Sequence, residues 1–270
     1  LEAFVQAAYK SEHRSVEVIL RLGHSERDEQ HTVKPNPNAT PFDFDNQRKT
    51  EENKDNLARR TSLSGLSQLR LSSSDTLLFS GAVSILRYDT PSAGNVDDRD
   101  EQLIALSVSS VHRVSPLLSI GLSLEGNLSH IVYLLGSGGP QSPFSPSANN
   151  YINRVFRLSP RAIYRPLKEV VSLNIFEVLA NYTVYDFEQQ GASIPSFSYR
   201  QFGWMDSSSV ELTRRIALDF FSYLKLYERG QFSWSDFSER TENSFVDRTI
   251  SSQLRFSPEE GILFAMGIKY

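Results

Sequence analysis

The sequence predicts an all-β chain, an antiparallel up-and-down membrane barrel. Three observations predict it: hydrophobicity alternates with a period of two, the alternating runs are long, and short and long polar connections take turns between them. Val210, Leu212, Ile216, Leu218, Phe220, Leu224 and Leu226 fall at even positions, interrupted only by Arg214 and Ser222. Leu118, Ile120, Leu122, Leu124 and Leu128 face Ser119, Gly121, Ser123, Glu125, Asn127 and Ser129. Val16–Leu22 and Ile262–Tyr270 repeat the pattern, and weaker runs cover Leu63–Leu71, Leu77–Ile85, Ile104–Val108, Ile152–Tyr164, Phe176–Val184 and Val246–Phe256. The count is about twelve strands of about 9–18 residues. Strands in soluble sandwiches peak near 5–6 residues, whereas a tilted strand needs about 9–11 to cross a bilayer. Length therefore favours the barrel.

The connections read independently. Short ones fall at Ser11–Arg14, Ser72–Asp75, Val114–Pro116, Pro166–Glu169, Glu228–Gln231 and Ser257–Gly261. Longer ones fall at Ser25–Arg60, Asp89–Glu101, Gly136–Asn150, Glu188–Pro195 and Ser238–Asn243. Tight turns on one side and long loops on the other are the habit of up-and-down barrels. In this architecture the chain resembles bacterial outer-membrane β-barrel proteins over nearly its whole length. The resemblance implies a bacterial outer-membrane location, with membrane lipid and lipopolysaccharide as surroundings. It also implies that both ends of the visible barrel lie on the loop side, so the single domain over 1–270 is expected to lack flanking strands, with roughly fourteen in the full barrel.

Composition removes other classes. The 270 residues carry a net charge of -4, with no broad basic excess for nucleic acid. No cysteine is present, which excludes disulfides, thiolate metal sites and thiol nucleophiles. No apolar run reaches the roughly 18 residues of a spanning helix. The five histidines, His13, His24, His31, His112 and His130, show no metal spacing. Serines are many, but no Gly-x-Ser-x-Gly elbow occurs, and Gly136–Pro140 lacks the Lys-Ser/Thr of a phosphate loop. No cofactor is expected and no enzyme, the alternative being an outer-membrane hydrolase whose site is assembled in space from distant residues.

Charge on the polar phase points to the site. Arg157, Arg161, Arg165, Arg215, Lys225 and Arg255 share it with Glu177 and Asp219. Charges there must meet water or pair across a lumen, because burying them unpaired costs too much. Arg157, Arg161 and Arg165 form a ladder that would concentrate passing anions; the plainer alternative is that they pair with neighbouring carboxylates and stiffen the wall. The segment 25–60 is a long polar loop suited to holding envelope proteins, and its Asp43-Phe44-Asp45 is no EF-hand, since Arg48 and Lys54 replace the required Gly and Glu. The expected activity is porin-like passive diffusion of small solutes, anions among them, through the lumen. The alternatives are a silent barrel that anchors partners in an envelope complex, and a soluble β-sandwich binding protein whose polar face meets solvent.

Overall fold

Successive side chains of a strand point to opposite faces, and the protein carries that rule through twelve consecutive strands. A computed structural model describes residues 1–11, 16–33, 40–52, 54–90, 98–134, 150–185, 196–233, 236–259 and 262–270. The strands are β1 (Glu2–Ser11), β2 (Val16–Glu29), β3 (Asn56–Arg70), β4 (Asp75–Asp89), β5 (Arg99–Arg113), β6 (Leu118–Tyr133), β7 (Tyr151–Leu167), β8 (Val170–Tyr185), β9 (Phe197–Thr213), β10 (Ile216–Ser233), β11 (Ser238–Phe256) and β12 (Phe264–Lys269). Each pairs antiparallel with its neighbour in sequence, giving one twelve-stranded up-and-down sheet. β1 pairs only with β2 and β12 only with β11, so the sheet is open.

Register fixes the two faces across the whole sheet. One row joins Gln6, Arg21, Ser64, Ala82, Ala105 and Asn127 in successive strands, and these residues line a single hollow of about 360 Å³. This phase carries the polar and charged side chains at mid-strand while the opposite one is apolar, so in a membrane barrel it is the lumen phase. The opposite phase exposes Leu20, Leu63, Leu106, Leu122, Phe156, Val178 and Phe220. The only buried large apolar side chain among the described residues is Phe232, at the loop end of β10. A soluble sandwich must bury one whole face of each sheet; this sheet buries neither and turns its apolar one outward, as lipid requires.

Three of the tight turns, β3–β4, β5–β6 and β9–β10, share one device. The hydroxyls of Ser72, Ser115 and Thr213 each accept two backbone N–H groups at the corner: Ser74 and Asp75, Leu117 and Leu118, and Arg215 and Ile216. The third corrects the sequence reading. The apolar row from Val210 to Leu226 is not one strand but the corner of the β9–β10 hairpin, with Ile216 opposite Thr213. A two-residue turn alone would reverse the parity, but the register shift between Ile216 and Ala217 restores it and sets Leu218 opposite Val210, so the alternation ran through the corner unbroken. The turn expected at Glu228–Gln231 is instead a bulge within β10, where Gly230 lets the backbone pass: a Cβ there would stand 2.7 Å from the Arg240 carbonyl oxygen. The loop expected at Ser238–Asn243 belongs to β11.

The 25–60 loop is also shorter than expected. β2 runs to Glu29, β3 begins at Asn56, and a helix, α1 (Pro41–Glu52), stands between them. Thr40 caps it: its hydroxyl accepts the Asp43 N–H at 3.2 Å, and the Asp43 carboxylate accepts the Thr40 hydroxyl at 2.6 Å and N–H at 3.2 Å. This is a capping box, with Pro41 in the first turn, where its missing donor costs nothing. These bonds hold the Asp43 carboxyl below its ordinary range. No residue of α1 is buried. His13, Pro35, Pro37 and Gly136–Pro140 lie outside the described residues.

Candidate transport lumen

The concave face of β6–β11 carries a connected chain of polar side chains. Arg157 on β7 lies between Glu125 on β6, at 3.0 Å, and Glu177 on β8, at 3.2 Å. Glu177 also accepts the Gln201 amide N–H at 2.6 Å, and the Tyr199 hydroxyl donates to Gln201 at 3.0 Å. From there the contacts become aromatic: Tyr199 to Tyr227 at 5.6 Å between ring centroids, and Tyr227 to Phe245 at 4.9 Å. The Lys225 ammonium stands 4.5 Å from the centre of the Tyr227 ring, a cation–π contact, with Asp247 directly across on β11.

Nearer the tight turns, Arg255 on β11 grips Asp219 on β10 with two N–H groups, one of them at 2.9 Å, and reaches Ser209 at 3.3 Å. The fork matches the carboxylate and neutralises both charges.

The arginine ladder therefore divides. Arg157 is held by two carboxylates. Arg161 makes no ion pair among the described residues; its side chain lies across Gly121 on β6, where an added Cβ would stand 2.7 Å from its Nε. The small residue makes room for the long one. Arg165 sits past the point where the β7–β8 register shifts, exposed at the turn, with its N–H bonded to the Leu117 carbonyl at 2.7 Å. Arg215 lies in the β9–β10 turn, exposed, and off the lumen wall. Glu177, Lys225, Asp219 and Arg255 take the lumen face. The aromatic wall of Tyr199, Tyr227 and Phe245 was not among the expected residues, because finding it needs the cross-strand register that the misread hairpin corner concealed. Among the described residues no group of acidic or histidine side chains has the arrangement of a metal site.

No protein family and no curated protein matches the chain by sequence. Solved structures do match. The open form of the ferric-catecholate import receptor Fiu from E. coli K12 superposes with a TM-score of 0.64 at 10% identity, covering 99% of this chain and 52% of that one. This chain has the fold of a bacterial outer-membrane β-barrel. The siderophore receptor PiuA from Acinetobacter baumannii gives 0.62 at 9% identity, covering 96% of this chain and 45% of its own. The copper transporter OprC gives 0.60 at 11%, covering 99% and 44%. The chain thus spans about half the length of these barrels. At this identity the likeness is one of architecture, and the barrel's chemistry has to be argued from its own residues.

Proposed function

We propose that the chain forms the wall of an outer-membrane transport barrel, with small solutes, anions among them, passing along the concave face of β6–β11. The observation that carries this reading is the contrast on that face between Arg157 and Arg255, held by carboxylates, and Arg161 and Lys225, which make no ion pair among the described residues. Fixed charges act over about 8–10 Å at physiological salt, so two cations on one wall bias a narrow aqueous passage. Passage needs no catalytic group and no cofactor. In a bilayer the free edges of β1 and β12 must find strand partners, since lipid leaves no backbone group unpaired. Lipid and lipopolysaccharide surround the apolar face, and α1 with its flanking segments is the part that envelope proteins can reach.

A second reading is favoured by one observation, the Tyr199–Tyr227–Phe245 wall beside Lys225. Flat rings next to a cation suit capture of a planar anionic solute before transport, in keeping with similar folds that are import receptors. Planar-bilayer recordings of the full chain separate the readings. Ohmic steps with chloride favoured over potassium, weakened in Arg161→Gln, support open diffusion. Silence that a planar anion fails to relieve, with no binding of that anion, moves the barrel to the anchoring role. Silence with saturable binding, lost in Lys225→Gln, supports capture.

A further inference from the structure

On β2–β5 the charged side chains of the outward face gather toward the strand ends, as the pairs Glu26–Arg59, Arg87–Asp100 and Asp75–His112; on β8–β11 that face carries a hydrogen-bonded polar group between the ends. Asp206 lies at the middle of β9 and faces outward, in register with Asn174 on β8 and Ser222 on β10. Its carboxylate accepts the Ser172 hydroxyl at 3.1 Å and the Ser208 hydroxyl at 3.0 Å. Asn174 donates to Ser172 at 3.0 Å and accepts the Trp204 indole N–H at 3.2 Å. Two strands away, Arg248 lies at the middle of β11, opposite Leu224 of β10 on the same outward face. It is exposed and has no ion-pair partner among the described residues.

A carboxylate and an arginine at mid-strand, both aimed away from the lumen, are out of place against acyl chains, and lipid phosphates sit too far away, at the interface. The two charges flank β10 symmetrically, one strand to either side. A two-fold axis along the bilayer normal, passing over the outer face of β10, exchanges those sides. It brings Asp206 of each copy opposite Arg248 of the other, twice, and stacks small Ser222 at the centre. A two-fold interface must be self-complementary, and this patch is.

We infer that the outer face of β9–β11 is the contact surface for a second copy of this chain, paired through Asp206 and Arg248. The inference is independent of what the lumen carries. The offset between the two charges along β10 is two residues, from Ser222 to Leu224, which an arginine side chain spans. The protein contains no cysteine, so single replacements report without background. Ser222→Cys, in the full chain in its native outer membrane, is expected to give cross-linked dimers with a short bismaleimide, while Leu122→Cys on the opposite wall stays monomeric.

Asp206→Arg and Arg248→Asp are each expected to lower the cross-linked fraction roughly tenfold, since each faces like charges across a desolvated contact. The double charge swap is expected to restore it. Heat-dependent gel mobility checks that each variant is folded, and Asp206→Asn with Arg248→Gln supply neutral versions where a reversal fails to fold. Monomers throughout, equal cross-linking at residues 222 and 122, or singles as well paired as the double swap would overturn the inference.

Discussion

Along β2–β6 the outward face at mid-strand presents Leu20, Leu63, Val83, Leu106 and Leu122, all exposed, and its ion pairs, Glu26–Arg59 and Arg87–Asp100, stand toward the loop end. Along β8–β11 the same face holds Asn174, Asp206, Ser222 and Arg248 among its Phe and Leu neighbours. Both stretches obey the same alternation, share one continuous register and bend around the same lumen. They differ in what the outside must touch. Acyl chains accept nothing from a polar atom, so the first wall is a surface for lipid; the second keeps its polar atoms bonded to one another and leaves one arginine over, as a surface for protein does. One barrel fold can thus carry two outer surfaces, and period two alone does not tell them apart.

The largest effect is expected on the lipid wall. Leu122→Arg places a cation at mid-bilayer depth and is expected to destabilise the barrel by about 2–4 kcal/mol in a bilayer refolding titration. Ser123→Arg, one residue along and facing water, is expected to change it by less than about 1 kcal/mol. Equal effects would erase the difference between the faces.

On the other wall, Asp206→Ala strips the acceptor from Ser172 and Ser208. The expected loss is about 1–3 kcal/mol in the same titration, because the two hydroxyl protons then lose their acceptor in an apolar setting. No loss would mean that water reaches this patch.

Within the lumen the comparison is between two arginines on one strand. Arg157→Gln leaves Glu125 and Glu177 without their shared cation; its side chain is 41% exposed, so the stability cost is expected to be at most about 1 kcal/mol. The substitution also frees two carboxylates, so chloride preference in a salt gradient should fall more steeply than in Arg161→Gln, which removes one cation and frees nothing. The reverse order in reversal potentials would contradict the pairing.

The smallest effect is expected outside the membrane. Asp43 has a depressed carboxyl pKa in the folded loop, so its contribution is present above the ordinary carboxylate range and is lost as pH falls through the lower, folded value. Protection of the first-turn amides of α1 from hydrogen exchange, relative to the intrinsic rate at each pH, is expected to fall below about pH 4, and Asp43→Asn should abolish most of that pH dependence.

Much of the wall was legible in the sequence, since Leu118–Leu128 and Val16–Leu22 alternate, interrupted only by Gly126 and Ile19, where lipid meets one face and water the other. The first part of β9, residues 197–209, lay in no recognised run, because its outward row of Phe202, Trp204, Asp206 and Ser208 turns polar halfway. The strand hardest to see is thus the one that departs from the lipid pattern. Turns were read from short polar breaks between apolar runs, and this failed at both ends of β10: Thr213 closes a corner inside an apolar row, while the polar break at Glu228–Gln231 is a bulge at Gly230. The Thr40–Asp43 spacing and Pro41 carried a readable capping box, yet α1 lacks the apolar period that announces a helix. Arg157 could be named from its phase, but the two carboxylates holding it come from neighbouring strands, and only register brings them together.

The central claim is that one phase of this sheet faces water and the other lipid. Spin labels placed singly from Ser119 to Asn127 on β6 of the reconstituted full chain test it, read for collision with oxygen, which concentrates in lipid, and with a water-soluble nickel chelate. The expected result is a period-two pattern in both, exactly out of step: oxygen high at Ile120, Leu122 and Leu124, nickel high at Ser119, Ser123 and Asn127. Nickel collisions at every position, or the two patterns in step, would contradict the barrel.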